Sequence, residues 1–218
     1  MEKEYNTFTV RRLFVEDLPL IEKYSQYYDH LFFNPVSREL LPDIFLNGAF
    51  WAVFDGQIPV AVTYILAADS SCFSDTGAGW HLADLLGETA SHCLLCGYLW
   101  TDDKYSGTDF YTPVVKLWLM QADRRNKNIL VHFVPAQMKT DFESLFYNGF
   151  QLMALRGLDN LVPHWLFDRN TEIETDRIPA YEDVKTCPLS DTKELSRLCE
   201  KGYRAFDMDV DKNLLFRR

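Results

Sequence analysis

The stretch YSGTDFYTPVVKLW, residues 105 to 118, sets one glycine among hydroxyls and aromatics and ends in an apolar run opened by a proline. A loop of small residues that feeds a helix N-terminus can converge backbone N–H groups on a phosphate. The span from Ser106 through Gly107, Thr108, Asp109, Phe110 and Tyr111 to Thr112 has the position for that task but little of the composition. Thr112 is a natural N-cap with Pro113 at the first helical position, which stabilises a helix and removes one N–H from the set. A carboxylate such as Asp109 near a phosphate charge is repulsive by roughly 0.7 to 3 kcal/mol at about 6 Å for effective dielectrics of 80 to 20. Asp102 and Asp103 lie just upstream, opposed only by Lys104.

Other chemistry is sparse. Cys93 and Cys96 with His92 have the spacing of half a zinc site, but no second pair follows at a matching distance. CLLCGYLW reads as a buried strand whose positions three apart face opposite ways, so the two thiols are expected as small core residues. The chain has no G-x-S-x-G elbow, P-loop, Rossmann fingerprint or H-E-x-x-H helix. Arg124, Arg125 and Lys127 suit the C-terminal end of a helix dipole.

These residues must be held by a fold that the bulk composition bounds. The 218 residues are 47% hydrophobic and 15% aromatic, enough for a real core. With 22 basic against 32 acidic residues the net charge is -10, which repels nucleic acid and anionic membranes and favours a cationic partner. No window approaches the ~18 apolar residues of a membrane span, and MEKEYNTFTV lacks a signal-peptide core, so a cytoplasmic location is expected. Five irregularly spaced cysteines suit reduced thiols.

The pattern along the chain predicts strand FTVRR, then a helix capped by Asp17 with Leu18, Ile21 and Tyr24 on one face. A second helical stretch punctuated by Pro35 and Pro42 ends at Asn47-Gly48, and a hairpin turns at Asp55-Gly56. Residues 69 to 91 form a long connection with a short helix at 81 to 87, followed by a strand from His92 to Trp100. The helix from Pro113 to Arg125 is apolar nearly all round, which predicts packing on several sides. NILVHFV reads as a buried strand, Thr140 and Glu143 as a capping box for a helix stopping at Asn148-Gly149, and 150 to 157 and 163 to 168 as closing strands. Helices returning between strands imply an α/β or α+β mixed sheet covered on both faces.

In this order, FTVRRLFVEDLPLIEKY, FDGQIPVAVTYIL and LFYNGFQLMALRGL resemble the GCN5-related N-acetyltransferase (GNAT) superfamily over residues 8 to 168. The resemblance implies that the fourth and fifth strands splay to admit the pantetheine arm of acetyl-CoA as co-substrate. The arm would lie along Tyr98, Leu99, Trp100 and Thr101, with the pyrophosphate against Ser106 to Thr112, where Gly107 alone keeps the family's glycine pattern. It implies direct attack of the primary amine of a small molecule on the thioester. The family's acid, a tyrosine four residues before the glycine of the helix-Gly-Phe element, falls on Leu145, which leaves Tyr147 as the candidate. Tyr98, Glu88, His92, His81 and Asp84 are candidates for the base. The alternative is a protein that keeps the fold without the catalysis and serves as a ligand-binding or interaction module.

Residues 1–168 would form the acyltransferase domain and 169–218 an extension. The extension echoes the front of the chain, with an acidic N-cap near Asp191 and Leu195 and Leu198 at helical spacing. It reads as a truncated second copy, or as a helix and strand that cover the core or exchange with a partner, an arrangement compatible with a homodimer.

Overall fold

The computed structural model describes residues 8–20, 45–67, 87–97, 99–105, 107–135, 141–156, 164–171 and 184–218. Residues 81 to 86 of the expected helix, most of the two helical stretches before the hairpin, and Thr140 of the expected capping box lie outside the described residues.

Alternating and continuous apolar runs make one sheet. Its strands are β1 (Phe8–Leu13), β2 (Ala49–Asp55), β3 (Ile58–Ala67), β4 (Cys93–Cys96), β5 (Trp100–Thr101), β6 (Ile129–Pro135), β7 (Gln151–Arg156), β8 (His164–Asn170), β9 (Lys185–Pro188), β10 (Arg204–Met208) and β11 (Asn213–Arg217). The order is β1-β2-β3-β4-β6-β8-β7-β10-β11-β9, with β5 paired to β3. Neighbours are antiparallel except β4 and β6, which run parallel through the crossover helix α1 (Tyr111–Arg124). The mixed sheet and the hairpin at Asp55-Gly56 match the sequence reading.

The period-2 side-chain alternation divides the core into two layers. On one face Ile65, Leu94, Cys96, Leu130 and Phe167 meet Val114, Val115, Trp118 and Ala122 of α1. Phe142 and Leu145 of α2 (Phe142–Tyr147) and Leu195 and Leu198 of α3 (Thr192–Glu200) complete that layer. On the other face Tyr64, Leu66, Cys93, Leu95, Val131 and Leu166 meet Leu18, Leu20 and Phe45. Cys93 and Cys96 therefore point to opposite layers, as the strand reading required, and the four described cysteines are free thiols.

Helix α1 differs from expectation. Its buried residues fall on one stripe, Tyr111, Val114, Val115, Trp118 and Ala122, while Met120 is exposed. The helix lies on the sheet and is not packed on several sides. Asp17 ends the short turn Val15–Asp17 and directly precedes helical residues 18 to 20, as the sequence reading placed it, but its carboxylate binds Arg11 twice at 3.0 Å and accepts the Phe14 N–H at 2.9 Å. Helix α2 ends where the sequence placed its stop. Gly149, at φ +80, lets Phe150 N–H reach Leu145 O at 3.0 Å and its own N–H reach Phe146 O at 2.8 Å.

The C-terminal segment extends the same sheet. Ala205 of β10 pairs with Leu152 of β7, and Leu195, Leu198, Leu214 and Phe216 enter the α1 layer. Asp191 caps α3 by accepting the Glu194 N–H at 3.1 Å. Strand β9 pairs with β11 and not with β10, so the order β9-β11-β10 differs from the amino-terminal β1-β2-β3.

Candidate functional site

A parallel pair joined by a helix leaves a crevice beyond the carboxyl ends of its strands, beside the helix N-terminus. Here that pair is β4 and β6. Their register runs from Cys93 opposite Ile129 to Cys96 opposite His132 and ends there. From Phe133 to Pro135, β6 continues against β8, while the chain after Cys96 stays with β3. The two strands splay.

A bulge directs the parting. From Cys96 to Trp100 the chain advances four residues while its partner β3 advances three, from Ile65 to Val62, so the expected continuous strand from His92 to Trp100 is interrupted. Gly97 N–H donates to Tyr64 O at 2.7 Å, and Thr63 Oγ1 donates to Gly97 O at 3.0 Å. A Cβ at Gly97 would lie 2.3 Å from the Tyr64 ring, so only glycine fits here.

A cavity of about 460 Å³ opens at this end of the sheet. Leu99 and Thr101 reach it from the bulged strand, and Gly107, Thr108, Asp109, Phe110 and Tyr111 from the loop. The structure thus brings together seven of the residues expected along the cofactor. Trp100 turns to the opposite layer, and Thr112 sits inside the first turn of α1. His81, Asp84, Tyr98, Ser106 and the side chain of Glu88 lie outside the described residues. His92 is exposed and lines a separate cavity with Asn128 and Arg169.

The loop spends several of its donors on itself. Thr108 N–H binds Tyr105 O, Phe110 N–H binds Thr108 O, and Thr112 N–H binds the Asp109 carboxylate at 3.1 Å. Phe110, not Thr112, is therefore the N-cap of α1, which begins two residues before Pro113, and the Asp109 carboxylate just ahead of it takes the first-turn Thr112 N–H. A protein carboxylate occupies a place where a bound anion would draw on the same N–H. Gly107 and Asp109 keep the loop's open backbone donors among the described residues, and Gly107, at φ +86, faces open space. Asp102, Asp103, Asp109 and Asp141 line the cavity without a lysine or arginine among the described lining residues.

Sequence reasoning missed the polar group at the root of the splay. His132 is fully buried. Its Nδ1 lies 2.9 Å from Cys96 O, and a carbonyl only accepts, so Nδ1 carries the proton. Burial holds its pKa down to about 4, leaving a neutral ring with a bare Nε2. The Tyr111 hydroxyl stands 3.4 Å from that Nε2 and donates to Asp141 Oδ2 at 3.0 Å. The polar residue inside the apolar run ILVHFV was the available signal. Tyr147 is 81% exposed at the end of α2 and does not line the cavity, whereas Leu145 is buried in the core layer that holds α1.

No family model matches the chain, and no curated protein matches its sequence. Solved structures do. A putative acetyltransferase from Salmonella typhimurium, solved with its cofactor acetyl-CoA, superposes with TM-score 0.54 at 10% identity, covering 78% of this chain and 96% of its own. A GNAT family acetyltransferase from Elizabethkingia anophelis with acetyl-CoA bound gives 0.52 at 12%, covering 77% and 99%. Another from Streptococcus pneumoniae gives 0.54 at 11%, covering 75% and 99%. At such low identity the likeness speaks to architecture, and with the bulged strand, the splayed parallel pair and the loop before α1 it establishes that this chain carries the GNAT fold.

Proposed function

We propose that the chain is an acyl-CoA-dependent N-acyltransferase that moves an acetyl group from acetyl-CoA to the primary amine of a small molecule by direct attack. The splay beyond Cys96 and His132 carries this reading, because it opens a slot between two central strands where a sheet would otherwise be closed. Leu99 and Thr101 give the slot a wall for the pantetheine arm, and the Gly107 and Asp109 N–H groups offer donors to the pyrophosphate. Backbone N–H groups of the bulged strand would polarise the thioester carbonyl. The four carboxylates favour a cationic acceptor. Acetyl-CoA bound at neighbouring structures of this fold supports the choice of co-substrate.

A second reading has its own observation. The internal hydrogen bonds of Thr108, Phe110 and Thr112, the last made to the Asp109 carboxylate, weaken the phosphate cradle, which favours a catalytically silent ligand-binding or interaction module. Incubation with acetyl-CoA and a panel of primary amines, read by mass spectrometry, separates the two. Acetylated amine supports the transferase; no acetylation of any amine with ligand bound favours the module.

A further inference from the structure

Tyr111 presents one phenolic proton to two acceptors, Asp141 Oδ2 at 3.0 Å and the bare Nε2 of His132 at 3.4 Å. One proton serves one of them at a time, and Tyr111 stands between the two. With Asp141 protonated, its O–H would donate to Tyr111 and Tyr111 to His132. His132 is sealed in the sheet with its other nitrogen committed to Cys96 O, while Tyr111 and Asp141 both face the cavity.

From this juxtaposition we propose that Asp141 and Tyr111, positioned by His132, form a relay that stores the proton moved during acyl transfer. This role rests on the transferase reading above. The ammonium loses its first proton to solvent. As the neutral amine attacks, the N–C bond forms and the thioester C–S bond breaks. The second N–H proton enters at the Asp141 carboxylate, and the departing thiolate takes the Tyr111 hydroxyl proton to become CoA thiol. Asp141 then returns its proton to Tyr111, and the cluster is restored. The arrangement replaces an acid on α2, where Leu145 is buried and Tyr147 faces solvent.

Two measurements test it. Thiol release from acetyl-CoA in the presence of the amine panel should fall about 100-fold in Tyr111→Phe. Asp141→Asn should fall comparably, and acetyl-CoA affinity should stay within about twofold of the parent in both. Unchanged turnover, or a loss of affinity that accounts for the whole effect, overturns the relay. Independently, ¹⁵N spectra of the unliganded parent at neutral pH should show the His132 ring protonated at Nδ1 and bare at Nε2, with the Nε2 signal displaced in Tyr111→Phe. A ring protonated at Nε2, or a signal indifferent to Tyr111, overturns it as well. If the parent releases no thiol, the transferase reading fails, and the spectra alone then decide whether the cluster shares its proton as described.

Discussion

Cys96 and His132 are the last partners that β4 and β6 share, and the His132 imidazole closes the pairing by donating from Nδ1 to the Cys96 carbonyl at 2.9 Å. A buried neutral histidine links stability to pH. Its pKa lies near 4 in the fold, below the ordinary 6.5, so the unfolded chain binds a proton that the folded chain refuses. Its contribution is fully present above about pH 6.5 and is lost as pH falls toward 4, amounting to roughly 3 kcal/mol across that window. The neighbouring Cys96 and Tyr64 are pushed up by burial and stay neutral there. Urea unfolding between pH 4 and 7 should show a steeper acid loss in the parent than in His132→Gln; parallel curves would refute the assignment.

Gly97 tests the bulge. Its replacement by alanine drives a methyl to within 2.3 Å of the buried Tyr64 ring, so Gly97→Ala should destabilise by about 1 to 3 kcal/mol in denaturant unfolding. Tyr64→Leu in the same chain should recover part of that loss. Full stability of the single variant would mean that strand and ring are not packed as described.

Asp109 has two opposed effects. Asp109→Ala removes the acceptor of the Thr112 N–H in the first turn of α1, with an expected loss of about 1 kcal/mol, and also takes a negative charge from the cavity. Thermal melts should drop while affinity for CoA rises by roughly threefold or more. Lower stability with unchanged CoA affinity would place the pyrophosphate away from this loop.

The C-terminal strands belong to the main core, since Phe216 is fully buried in the layer that holds Trp118 and Phe167. Phe216→Ala should lower global stability by about 3 to 5 kcal/mol within one cooperative transition. Two separate transitions, with only one shifted, would show that the extension folds by itself.

Much of this fold could be read from the chain because local signals and burial agreed. Asp55-Gly56 between apolar runs marked the hairpin, and Asn148-Gly149 marked the end of α2. The start of α1 was misplaced because Thr112-Pro113 is a strong local signal, while the helix begins at Tyr111 and the Asp109 carboxylate, three residues upstream, takes the Thr112 N–H. The site was legible in outline through the loop residues, but its polar centre was not. His132, Tyr111 and Asp141 are separated by 21 and 30 residues, and only the parallel crossover brings them together. Nothing in residue spacing showed that Leu145 would be buried and Tyr147 left in solvent, because that depends on how α2 lies on the sheet.

The central claim is that the space between the parted strands takes the acyl-bearing arm of a CoA thioester. Calorimetric titration of the intact protein with acetyl-CoA tests it most directly. Saturable binding with a dissociation constant below about 100 μM, weakened by a bulky Gly107→Trp at the loop, is the predicted result. No heat at millimolar acetyl-CoA would contradict it.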